Sequence, residues 1–136
     1  METQSDLRMY VFEELKAQEV FIPERYLQML RLTPADRVIE GLSPWAFLPT
    51  PERSVAYCSE AFGSAVLPFA QAVGEDLIAC FVVTPFKSVD IVLLNPWADD
   101  PRERIRARFS TYEDWLEYAE EISRVVTERE RLEDES

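Results

Sequence analysis

Two pairs of adjacent carboxylates, Glu75-Asp76 and Asp99-Asp100, stand beside apolar runs that read as strands. Glycoside hydrolysis uses a carboxyl pair, one member protonated and the other ionised. The pattern carries no more than that, because 26 acidic residues among 136 produce adjacent acids by composition alone. Neither pair has the spaced oxygen ligands of a calcium loop. Other chemistries fail by inventory. Without histidine there is no Ser–His or Cys–His nucleophile pair and no histidine-based zinc set. Cys58 and Cys80 cannot supply a four-cysteine site, and three glycines are too few for a phosphate-cradling loop. Lys16 and Lys87 are the only amines on side chains, and neither has a context that marks a nucleophile. The expectation is a protein that is not an enzyme and holds no metal and no cofactor, with a carboxylate-based hydrolase as the remaining enzymatic alternative.

The net charge of −12 points the same way. Such a surface repels nucleic acid and anionic lipid, and it speeds encounter with basic proteins. The plainer account is solubility. No uninterrupted apolar run approaches the roughly 20 residues of a membrane helix. The stretch VLPFAQAVGEDLIACFVV, 66–83, would place Glu75 and Asp76 near mid-bilayer. The N-terminus METQSDLR has no apolar signal core. A cytoplasmic protein is therefore expected, and nothing in the two cysteines suggests a secreted disulfide framework.

The elements that would position these residues follow from periodicity. Leu7, Tyr10, Val11 and Leu15 predict a helix over 6–18, capped by Ser5. Pro23 opens a second, with Tyr26, Leu27 and Leu30 on its buried side. Four prolines lie in 33–54. Thr33-Pro34-Ala35-Asp36 is expected to start a short helix ending at Gly41, followed by an irregular loop pinned by Trp45, Phe47 and Leu48. Trp45 facing a partner is the alternative. Residues 64–71 and 77–83 read as strands joined by Gly74-Glu75-Asp76, and 89–94 as another after the turn 84–88. The short connections require an antiparallel meander. Leu77–Val83, apolar on both faces, should be central, and Pro68 marks its neighbour as an edge or as bulged. RERIRARF, 102–109, alternates arginines with other residues, as a strand with a basic face would. Those arginines are expected to pair with the protein's own carboxylates. Ser110 and Glu113 form a capping box for a last helix that buries Tyr112, Trp115, Ala119, Ile122 and Val126. One domain is expected over 1–126, with a charged tail, 127–136, that frays.

Three motifs resemble the SUKH superfamily, which contains the fungal Smi/Knr cell-wall regulators, Syd-like proteins and bacterial immunity proteins. FIPERYLQML, 21–30, is similar to the family's proline-led second helix. VLPFAQAVGEDLIACF, 66–81, is similar to its proline-phenylalanine, glycine-aspartate and apolar-strand sequence. FSTYEDWLEYAEEI, 109–122, is similar to its closing helix. Glu75 separates Gly74 from Asp76, where family members place glycine directly before aspartate. The resemblance implies an α+β fold, an antiparallel sheet meander packed by N-terminal and C-terminal helices. It also implies a binding role, that of an immunity protein neutralising a cognate bacterial toxin, with basic nucleases among such toxins. A regulatory scaffold for signalling or envelope proteins is the alternative.

The expected contact surface is the pair of loops beside the meander: Glu75 and Asp76 in one, Trp97, Asp99 and Asp100 in the other. Trp97 as a core anchor is the competing account. The helix face of Glu113, Glu117, Glu120 and Glu121 is a second candidate surface, against a plain solvated face. The sequence leaves the partner's identity and the oligomeric state open.

Overall fold

Apolar side chains at helical spacing wind both chain ends into helices, and β-branched and aromatic residues extend the middle. A computed structural model describes residues 7–35, 37–84 and 89–135. Its order is α1 (Met9–Ala17), α2 (Glu24–Leu32), β1 (Trp45–Phe47), α3 (Val55–Phe62), β2 (Val66–Ala72), β3 (Leu77–Val82), β4 (Asp90–Leu94), β5 (Ile105–Phe109) and α4 (Tyr112–Glu135). The strands form one antiparallel sheet in the order β1-β2-β3-β4-β5, a meander. The fold is α+β, as expected.

β3 is the middle strand and is covered on both faces. Ala79 and Phe81 face the larger core under α1, α2 and α4, while Ile78 and Cys80 face a smaller one under α3. Aromatic rings fill the larger core. Phe69 stacks on Phe81 at 4.1 Å, and Tyr26 sets its edge against Phe47, Phe69 and Phe81. Tyr112 donates its hydroxyl to the Met29 sulfur at 3.4 Å, and burial pushes its pKa up, so the ring stays neutral.

Several expectations change. No helix forms among the described residues between Thr33 and Gly41. The chain turns instead, with Arg37 N–H donating to Pro34 O and Val38 bridging Ala46. Asp36 lies outside the described residues. The segment read as an irregular loop contains β1, because Trp45 and Phe47 alternate inward between Pro44 and Pro49 and find β2 as a partner. Trp45 is 0% exposed, which overturns a partner-facing role. β2 is not the edge strand, since β1 pairs outside it along Ala70–Ala72, and Pro68 lies beyond that ladder. The strand is bulged there, with the register shifting between Pro68 and Ala70. Proline supplies no ladder donor, and the shift turns both Phe69 and Ala70 toward the main core.

The basic strand is shorter than its alternation suggests. Pro101–Glu103 is a 3₁₀ turn, and only Ile105–Phe109 is extended. Arg106 and Arg108 remain on it, on the α3 side of the sheet, and the Arg108 guanidinium lies 5.5 Å over the Phe62 ring. The α4 cap also moves by one residue. Thr111 Oγ1, not Ser110, accepts from Asp114 N–H at 3.1 Å. α4 then continues through the segment expected to fray, as far as Glu135. Ion pairs Glu121–Arg124 and Glu128–Arg131 lie along it at helical spacing. At the other end of the chain, α1 matches the expected helix, while Ser5 and residues 85–88 of the expected turn lie outside the described residues. Arg8 donates to Thr33 O at 2.8 Å and so occupies a carbonyl at the end of α2.

Candidate partner-binding site

In a meander, alternate connections leave the same end of the sheet. The β2–β3 turn, 73–76, and the β4–β5 connection, 95–104, therefore share one end, and Ile78 pairs with Leu94 just inside both. The fold thus brings Glu75, Asp76, Trp97, Asp99 and Asp100 to one end. Their surroundings differ.

Trp97 is 54% exposed, so it is not a core anchor. Its loop is pinned at several points. Asn95 N–H donates to Arg104 O at 2.8 Å, Trp97 N–H to Asn95 Oδ1 at 3.1 Å, and Arg104 Nε to Ala98 O at 3.0 Å. Tyr57 of α3 packs against the indole, with centroids 6.0 Å apart, and its hydroxyl donates to Ser54 Oγ at 2.7 Å. Trp97 is a large, exposed aromatic on a braced loop.

Asp100 serves the loop itself. It accepts from Arg102 N–H at 3.0 Å and from Arg102 Nε and a terminal nitrogen at 3.3 and 3.2 Å. Those bonds hold its carboxyl below the usual range. Glu75 is half-buried and ion-paired with Arg129 of α4. That pair ties the β2–β3 turn to the segment of α4 beyond Val126, and Glu75 raises the Arg129 pKa. Asp76 and Asp99 are the exposed acids. Neither makes an ion pair among the described residues.

The β2–β3 turn is closed by Glu75 N–H donating to Ala72 O at 3.0 Å. Gly74 has φ +84° and Asp76 has φ +53°. Glycine adopts that region freely, whereas aspartate does so at some cost. Asp76→Gly should therefore stabilise the fold by about 0.5 kcal/mol in urea unfolding. A loss of stability would show instead that the Asp76 carboxylate holds the turn.

The acidic face of α4 (Glu113, Glu117, Glu120 and Glu121) is exposed, but it belongs to the helix on the opposite face of the sheet from α3. A groove of about 1090 Å³ runs along the second half of α4, lined by residues such as Gly41, Glu121, Val125 and Leu132. None of the five expected residues lines it. Among the described residues no cluster of three metal-ligating side chains occurs. No helix there is long and apolar enough to cross a membrane.

Sequence reasoning missed Tyr57, because α3 was not read. Its signals were present: Pro51 in the first turn of a short 3₁₀ lead-in, Cys58 and Phe62 four apart, and Gly63 at φ +94° closing the helix. Arg129 was missed because the tail was expected to fray. Comparison with protein-family models, curated proteins and solved structures finds no match to this chain.

Proposed function

We propose that the chain is a protein-binding module, not an enzyme, that engages a basic partner domain through the sheet end bearing Trp97, Asp99 and Asp76. The observation that carries the reading is Trp97, more than half exposed yet braced by Tyr57 and by its own loop, beside exposed acids on a chain of net charge −12. Braced, exposed aromatics make good binding anchors because little entropy remains to be lost on contact. The acids steer a basic partner toward the anchor. The SUKH-like motifs narrow the role to immunity, with the partner a toxin domain such as a basic nuclease, and the site of action to the cytoplasm.

The hydrolase alternative needs a carboxyl raised in pKa to act as acid. Asp100 is shifted the other way by Arg102, and Glu75 is committed to Arg129.

The test uses the product of the adjacent upstream gene as probe. Association is measured at low and high salt for the native chain and for Asp99→Lys combined with Asp76→Asn. Asp100 is left intact because it closes its own loop. The expected result is one tight partner whose association slows with salt, and an on-rate lowered about 10-fold at low salt in the variant. An unchanged on-rate removes this sheet end from the reading. No complex, with only scattered weak partners captured from lysate, favours the scaffold alternative.

A further inference from the structure

The smaller core, between α3 and the sheet, consists of Leu48, Cys58, Val66, Ile78, Cys80, Val92 and Leu94. It contains both cysteines of the chain. Cys58 is on α3, Cys80 is on the central strand, and both are free and 0% exposed. Their side chains enter this one cluster from its two sides, Cys58 from the helix and Cys80 from the sheet, and Cys58 is near enough to help raise the Cys80 pKa. We propose that Cys58 and Cys80 form a site of reversible disulfide formation, a latch between α3 and β3 that a small-molecule disulfide closes.

The same burial decides when the latch can react. Only a thiolate attacks a disulfide. Desolvation and the neighbouring Cys58 push the Cys80 thiol up, so Cys80 stays an unreactive thiol while α3 is seated. α3 must lift first. It is eight residues long and rests on this small cluster, which makes it a segment suited to local opening. On opening, one cysteine thiolate attacks the oxidant. One half of the oxidant leaves as a thiolate, and a mixed disulfide remains on the protein. As α3 reseats, the second cysteine, deprotonated, attacks the protein sulfur of that mixed disulfide. The Cys58–Cys80 bond forms and the other half leaves. Two cysteine thiols are oxidised, one small disulfide is reduced to two thiols, and the two protons end on those thiols.

Closing the latch joins residues about 22 apart in the chain, which constrains the unfolded state and holds α3 down. It also fixes Tyr57, the neighbour of Cys58 that braces Trp97.

The experiment treats the full chain with oxidised glutathione in urea dilute enough to leave it folded, then removes the urea. A closed latch gives a monomer lighter by about 2 Da, with no thiol titratable after denaturation and a peptide linking Cys58 to Cys80. The melting temperature should rise by roughly 5–10 °C and return with dithiothreitol. Cys80→Ser should take up one glutathione at Cys58 and gain no such stability. The proposal is overturned if the native chain ends with two free thiols, with stable glutathione adducts or as a linked dimer. It is equally overturned if the internal bond forms but lowers the melting temperature. No partner protein enters this test, so its outcome is independent of the binding reading.

Discussion

Trp97→Ala should weaken the complex with a basic partner about 30-fold or more, mostly by faster dissociation, while shifting the melting temperature by no more than about 3 °C. The two effects separate because of how the loop is held. The indole is 54% exposed, so removing it opens no cavity in the core. The loop is closed by Asn95, Arg104 and Asp100 through bonds that do not involve the ring. Tyr57→Ala should cost less, roughly 5-fold, because Tyr57 acts by limiting the positions Trp97 can take. The double variant should then be less than additive, since each change removes part of the same effect. Surface plasmon resonance on the three variants tests this. If Trp97→Ala leaves dissociation unchanged while Asp99→Lys slows association, the surface works by charge alone and Trp97 is not its anchor.

How much of this could be read from the chain depended on which force fixed each element. The β2–β3–β4 meander was legible because apolar runs alternate with turns too short for crossovers, and β3 announced its double coverage by lacking a polar face. α4 was legible from its 3.6-residue stripe. β1 was not, because Trp45–Phe47 is a strand only by virtue of the partner it finds in β2, about 25 residues away in the chain. α3 was hidden for a related reason. It is short, has little polar contrast, and is held by the sheet face beneath it. Pro68 signalled a broken ladder correctly, and of its two readings, edge or bulge, the bulge is the one found. The five candidate site residues were brought to one end of the sheet because meander topology requires it. Their division of labour was not legible. Whether an acid faces solvent, as Asp99 does, or closes its own turn, as Asp100 does, depends on where Arg102 and Arg129 come to rest.

The largest loss of stability should come from Trp115→Ala, about 3–5 kcal/mol, which lowers the melting temperature of a domain this size by roughly 10–20 °C. Trp115 is 0% exposed and sits where α4 meets the sheet. Its ring lies edge-on to Trp45 at 5.5 Å and to Phe69 at 5.1 Å, and it contacts Tyr112 at 5.3 Å. Truncation would leave three large rings facing a void that the sheet cannot collapse to fill, because β1 and β2 are held by their ladder. A total stability of the order of 10 kcal/mol leaves the variant folded but marginal. Trp115→Phe separates shape from polarity. The Trp115 indole N–H is buried without an acceptor among the described residues, as is that of Trp45. Phenylalanine removes that unsatisfied donor, which offsets part of the lost volume, so the expected loss is only about 1 kcal/mol or less. Urea unfolding of both variants checks the contrast. Equal losses would mean that the indole N–H is satisfied in solution, and that the edge-on contact with Trp45 contributes less than the bond it makes.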